Sequence, residues 1–362
     1  MSPQLDAPAA PRSPWQLLYG NVHRLRRAWY RRRAERLPSP VISIGNLHWG
    51  GSGKTPLTAA VAAHMRDAGH RVCILSRGHG RRGTGIRVVS SGDGPLLTPD
   101  LAGDEPVLLA EELPGVAVVV GRRRALAGRA ALELLAPPPE LFVLDDGFSH
   151  LALHRDLDIL VFPATDPFGG GRLAPSGRLR EPLAASARAS AAVLTGLDSA
   201  ADDAESGRHL ASALHPHGFR GPGFASFVVP QPPRFADGQP LPAAARVLLV
   251  AGIARPGRFF AGARRAGVEV VGELAFRDHH RYPPRSVEEI DRTAATLGAE
   301  AVLTTTKDRV KLAGRLAVPL AELPVAERPA EDFWRWLEDR LGVLAPGGPA
   351  TAGSGPGGGE GR

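Results

Sequence analysis

Residues 41–56, VISIGNLHWGGSGKTP, carry the plainest chemistry in the chain. A short apolar run feeds a glycine-rich turn, and Lys54 and Thr55 follow at the head of an alanine-rich stretch. Glycines such as Gly50, Gly51 and Gly53, with Ser52 between them, let backbone N–H groups face phosphate oxygens, and a helix N-terminus adds positive potential. Lys54 would reach the β- and γ-phosphates, and the Thr55 hydroxyl would ligate Mg²⁺. One position departs from the G-x-x-x-x-G-K-[ST] pattern: His48 stands where the first glycine belongs. The GGSGKT core and its strand–loop–helix setting remain, and they predict binding of a nucleoside triphosphate. A glycine-rich loop of no special function is the alternative.

Such a loop needs acid for its metal, commonly at the end of a neighbouring buried strand. LFVLDDGFSH supplies Asp145 and Asp146 after an apolar run, followed by the Gly147 turn. Two carboxylates there suit a hard cation beside phosphates. An Asp-Gly strand ending would read the same alone; together with the loop the pair reads as a metal site.

The elements that must hold these residues follow from apolar patterning. The runs 41–45, 72–76, 116–120, 141–146 and 157–162 are short and mostly apolar, and helix-like segments such as 54–68 and 122–135 separate several of them. That alternation predicts an α/β fold, a P-loop NTPase-like, doubly wound, mostly parallel sheet over residues 37–214, with AAVLTG (191–196) as a further strand. Residues 215–242, rich in Gly and Pro, read as a linker carrying the short run FASFVV (224–229). A second, smaller α/β domain is expected over 243–342, and residues 346–362 read as a disordered tail.

Residues 1–36 form the remaining unit. Residues 1–14 are Pro/Ala-rich, and 15–36 read as an amphipathic helix with Trp15, Leu18, Val22, Leu25 and Trp29 on one face and arginines around it. Such a helix either lies in an anionic lipid interface or packs on the core with a solvated basic face.

Composition bounds the rest. A chain of 362 residues suits about two domains, and 43% apolar residues exclude a wholly disordered chain. The single cysteine, Cys73, excludes a disulfide scaffold and a four-cysteine zinc site, and suits a reducing compartment. No run approaches the ~20 apolar residues of a membrane span, and the N-terminus lacks a signal-peptide layout. The expectation is a cytoplasmic chain that touches a membrane at most peripherally. Lys and Arg total 44 against 37 Asp and Glu, a net charge of +7. Three of the 44 are lysines (Lys54, Lys307 and Lys311) and the other 41 are arginines, a skew read mainly as codon bias in a GC-rich genome. The sharper reading is a polyanionic partner, yet no nucleic-acid-binding motif is present.

The motifs GNLHWGGSGKTP, LSRGHGR (75–81), GDEP (103–106), LDDGFSHLALHRDLDI (144–159), LREP (179–182), AGIARPGRFF (251–260), FRDHH (276–280) and TTTKD (304–308) occur in an order that resembles the tetraacyldisaccharide 4′-kinases. The resemblance spans about residues 15–340. It implies an ATP-dependent kinase, with Mg²⁺, acting on the 4′-hydroxyl of the lipid A disaccharide precursor at the cytoplasmic face of the bacterial inner membrane, with no protein partner implied.

Carried over residue by residue, the resemblance makes Asp104 the catalytic carboxylate, with Glu105 beside it near metal or substrate. His279 of FRDHH would pair with Asp104 from the second domain, with His280 the alternative. Asp145 and Asp146 would serve the metal. Arg180 and an arginine of the 121–124 segment, foremost Arg124, would contact phosphate or the anionic lipid, and His150 would lie at the substrate side. His79 and Ser149 depart from the family's usual tyrosine and glutamine. Without the resemblance, Asp104 and Glu105 read rather as a solvated acidic turn or helix start, the histidines equally as a polar surface run or a metal-binding fragment, and TTTKD as a turn after a buried strand. The rival functions are a P-loop kinase or NTPase with a soluble substrate and a nucleotide-dependent switch protein.

Overall fold

The computed structural model describes residues 29–30, 33–49, 53–197, 203–253, 256–278 and 280–344. Its strands run, in chain order, as β1 (Val41–Gly45), β2 (Val72–Ser76), β3 (Arg87–Ser90), β4 (Ala117–Val120), β5 (Leu141–Asp145), β6 (Leu157–Pro163), β7 (Ala191–Leu197), β8 (Gly223–Pro230), β9 (Arg234–Phe235), β10 (Arg246–Ala251), β11 (Glu269–Ala275), β12 (Ala301–Thr305), β13 (Leu320–Leu323) and β14 (Val325–Pro329). The helices are α1 (Lys54–Asp67), α2 (Pro99–Ala102), α3 (Asp104–Glu112), α4 (Arg124–Leu134), α5 (Asp203–Leu214), α6 (Pro256–Arg265), α7 (Pro284–Leu297), α8 (Thr306–Leu312) and α9 (Glu331–Leu344).

Continuous apolar runs cannot leave one face in water, so they form strands covered on both sides. Every residue of β1, β2, β4 and β5 is buried. They sit inside a larger sheet of order β14-β8-β7-β6-β1-β5-β2-β4-β3, parallel except for its outermost strands β3 and β14. This is the expected doubly wound arrangement. The chain passes from β1 to one side of the sheet and, after β5, returns across β1 to β6 on the other. That reversal opens a crevice at the carboxyl ends of the strands, where ligands bind in such sheets.

Helix α1 buries Leu57, Thr58, Val61, Ala62 and Met65, a stripe spaced by three to four residues. It shares its core with Phe333 and Leu337 of α9, although α9 follows the whole smaller sheet in sequence. The smaller sheet has order β11-β10-β12-β13-β9, with α6 on one face and α7 on the other.

The structure differs from the sequence expectation in three places. Residues 215–242 are not a linker throughout: Gly223–Pro230 forms β8, parallel to β7 inside the larger sheet. Gly and Pro density hid this strand, although its first four residues are buried. Residues 243–342 do not all belong to the smaller sheet either, because β14 and α9 return to the larger one. The expected helix over 15–36 stops short: Trp29 and Tyr30 are helical, but Glu35 pairs in parallel with Leu153. Most of that helix and all of 346–362 lie outside the described residues. No helix among the described residues is long and apolar enough to cross a membrane.

Candidate active site

Pairing of β1 with β5 sets the site. Ile44 lies opposite Asp145, so the strand that feeds the glycine-rich loop ends beside the strand that ends in acid. Gly53 precedes α1 at φ +79°, a left-handed conformation that a side chain disfavours. A Cβ there would also come within 2.9 Å of Thr195 Oγ1. Lys54 and Thr55 then open α1, whose first turn contains no acid to compete with an anion. Gly50, Gly51 and Ser52 lie outside the described residues.

The two aspartates are held differently. Asp145 is buried and accepts a hydrogen bond from Ser76 Oγ at 3.2 Å. Burial, then the nearby Glu105 and Asp146 carboxylates, push its carboxyl up to about 7, against Lys54 and Arg124. A carboxylate so disfavoured gains most from an added cation. Asp146 has φ +52°, and the chain turns sharply at Gly147, where a Cβ would meet Leu144 Cβ and Ser43 Oγ at 2.6 Å. Burial opposes its charge as well. However, hydrogen bonds from Arg180 and the charges of Lys54, Arg180 and Arg124 outweigh burial and hold Asp146 down at about 2. Lys54 Nζ stands 3.9 Å from Asp146 Oδ1.

Arg180 donates through Nη1 to Asp146 Oδ2 at 3.1 Å and through Nη2 to Oδ1, while its Nε and Nη2 donate to the Asn46 carbonyl just before the loop. Arg124, at the start of α4, is almost fully buried, donates to the Gly121 carbonyl and is pulled down to about 10 by burial. Asp104 and Glu105 occupy the first turn of α3. Lys54, Thr55, Asp104, Glu105, Arg124, Asp145, Asp146, His150 and Arg180 all line one open cavity of about 1670 Å³ between the two sheets. His279 lies outside the described residues. Its neighbour Asp278 lines the same cavity, whereas His280 stacks on Phe276 and hydrogen-bonds Ser286.

A model of the LpxK family, tetraacyldisaccharide-1-P 4′-kinase, matches residues 10–342. The chain belongs to the tetraacyldisaccharide-1-P 4′-kinase family. It is 47% identical over 278 residues to the tetraacyldisaccharide 4′-kinase of Anaeromyxobacter sp. (strain Fw109-5), covering 76% of this chain and 74% of that protein. It is 41% identical over 309 residues to the same-named protein of Pelobacter propionicus, covering 83% of this chain and 82% of the relative. The crystal structure of LpxK from Aquifex aeolicus in complex with ATP superposes with a TM-score of 0.70 at 32% identity, over 91% of this chain and 96% of that one.

Within this kinase fold, several cavity residues escaped sequence reasoning. Glu181 of LREP is buried, accepts from Ser149 Oγ at 2.5 Å and pairs with Arg188 at 3.0 Å, so the serine at the family's glutamine position still makes a polar contact. Glu327 arrives on β14, lines the cavity and accepts from Ser226 Oγ at 2.6 Å; burial pushes its carboxyl up to about 7. TTTKD is the end of β12 and the start of α8, capped by Thr305 Oγ1 accepting from the Asp308 N–H. The cap was readable as Thr-x-x-Asp, but where Lys307 points depends on how the two sheets meet.

Proposed function

We infer that this chain transfers the γ-phosphoryl group of ATP to the 4′-hydroxyl of a tetraacyldisaccharide 1-phosphate in lipid A biosynthesis. Membership of the 4′-kinase family carries the reaction. The shared cavity of Lys54, Asp145, Asp146 and Asp104 supports the assignment of roles.

Lys54, at the head of α1, neutralises charge on the β- and γ-phosphates, helped by the helix N-terminus. Thr55, Asp145 and Asp146 suit Mg²⁺: a hydroxyl and two carboxylates leave positions for phosphate oxygens and water, as this ion prefers. Burial first, and then the neighbouring Glu105 and Asp146 carboxylates, disfavour the Asp145 charge, and a cation beside it would offset both. Bound there, Mg²⁺ would neutralise charge on the β- and γ-phosphate oxygens. Asp104 accepts the proton of the 4′-hydroxyl as its oxygen bonds to the γ-phosphorus and the bridge to ADP breaks in line. His279 assists Asp104. Arg180 and Arg124 contribute positive charge, and Glu105 and His150 serve the substrate side.

The chain works peripherally, at an anionic inner-membrane surface on its cytoplasmic side. Trp29 is 53% exposed, with the Arg33 guanidinium 4.7 Å from its ring centroid, the pairing of interfacial helices. The deciding assay is ATP-dependent formation of the 4′-phosphate on a tetraacyldisaccharide 1-phosphate presented in mixed micelles. Labelled γ-phosphate should appear in the lipid. ATP hydrolysis without lipid phosphorylation would overturn the reading.

A further inference from the structure

The first turn of α3 takes its cations from the other sheet. Lys307 Nζ, on α8, donates to Glu105 Oε1 at 2.9 Å. Lys311 Nζ, one turn further on, lies 3.6 Å from Asp104 Oδ2 and 3.0 Å from Asp308 Oδ1. Asp308 is fully buried, and its other oxygen accepts from the Gly252 N–H at 2.7 Å and from Thr305 Oγ1 at 3.1 Å. The Lys311 ammonium is therefore anchored to the carboxyl end of β10, with its side chain only 6% exposed. Two turns along α3, Glu111 pairs with Arg309, which also donates to the buried Glu322 at 2.7 Å. Three cations of α8 thus meet acids at both ends of α3.

Composition singles out two of the three. Among 44 Lys and Arg residues the chain keeps lysine at positions 54, 307 and 311 alone. A bias that writes arginine wherever either cation serves leaves lysine where a compact ammonium is needed, since a guanidinium fork differs in size, donor geometry and hydration. One retained lysine follows the glycine-rich loop at the head of α1; the other two hold the acids of α3. The charge around them explains the need. Asp104, Glu105, Asp145, Asp146 and Asp278 all line the cavity, and ATP adds further negative charge.

We propose that Lys307 and Lys311 are positioning residues for phosphoryl transfer, holding the Glu105 and Asp104 carboxylates in place from the second sheet. The ammonium of Lys311 fixes the proton acceptor against Asp308, and that of Lys307 fixes its neighbour. The proposal rests on the reading of Asp104 as the base. It also makes α8 the element through which the smaller sheet reaches the chemistry.

A double-mutant cycle on the full chain tests this, using ATP and tetraacyldisaccharide 1-phosphate in mixed micelles. Lys311→Met should lower kcat about tenfold or more while KM for ATP changes less than about twofold, the pattern of lost positioning with binding retained. Lys311→Arg should restore only a small part. In an Asp104→Asn background, Lys311→Met should cost less than about a further twofold, because the lysine acts through Asp104. Additive losses, or an unchanged kcat in Lys311→Met, would overturn the proposal. Full turnover in Asp104→Asn alone would instead overturn the base assignment, a separate failure. If Lys311→Met unfolds, since it leaves Asp308 buried without its cation, Lys307→Met crossed with Glu105→Gln decides by the same criterion.

Discussion

Arg180 binds both carboxylate oxygens of Asp146 and the carbonyl of Asn46 at once, tying the acid after β5 to the residue that leads into the phosphate loop. A guanidinium fork can do this; a single ammonium cannot. The contact, with the charge of Lys54, holds the Asp146 carboxyl down at about 2.

Arg180→Ala should therefore lower kcat/KM on the order of 10²-fold, by freeing Asp146 and removing a charge beside the phosphates. Arg180→Lys should recover part of the charge effect and little of the bridge. Steady-state rates against ATP at saturating Mg²⁺ check this, and equal rates for Arg180→Ala and the parent chain would refute it.

Lys54→Ala should reduce phosphoryl transfer by at least about 10³-fold, because its ammonium at the head of α1 offsets charge on the transferring group. Lipid phosphorylation with γ-labelled ATP provides the measurement. Turnover within about tenfold of the parent chain would remove Lys54 from the phosphate site.

His48 makes the loop region sensitive to acid. Burial pulls its imidazole from 6.5 down to about 4, against the pull of Asp166. The unfolded chain binds this proton more readily than the folded one. Its contribution is therefore complete above about pH 6.5 and is lost as pH falls towards 4, up to about 3 kcal/mol. Urea midpoints at about pH 7.5 and pH 5 should lie closer together for His48→Gln than for the parent chain. An unchanged separation would exclude His48 as the source.

Phe333 of α9 is fully buried, with its ring 5.5 Å from that of Phe224 on β8. Phe333→Ala should cost about 3–5 kcal/mol, from lost burial and the cavity left behind. Thermal unfolding would register this as a lower Tm with a single cooperative transition. A separate early transition of α9 would show that the returning helix is not part of one folding unit with the larger sheet.

Much of the site was legible because its signals are local. The strand–glycine–Lys54–Thr55 order and the apolar run ending in Asp145–Asp146 depend on a dozen consecutive residues each. Burial on both faces of a strand leaves an apolar run that needs no partner to be recognised. Membership of the kinase family was likewise readable, from separate motifs in one order.

The sequence by itself determined the loop, the acid pair, the alternation of strands and helices, and the reaction class. Only the tertiary structure decided that β8 and β14 join the larger sheet, that Ile44 stands beside Asp145, and that Lys307 and Lys311 reach Glu105 and Asp104 across some 200 residues. Backbone propensities act over a few residues, so they specify each element. Which elements become neighbours is settled by burial of apolar faces and pairing of buried charge, and those act only once the chain has closed on itself.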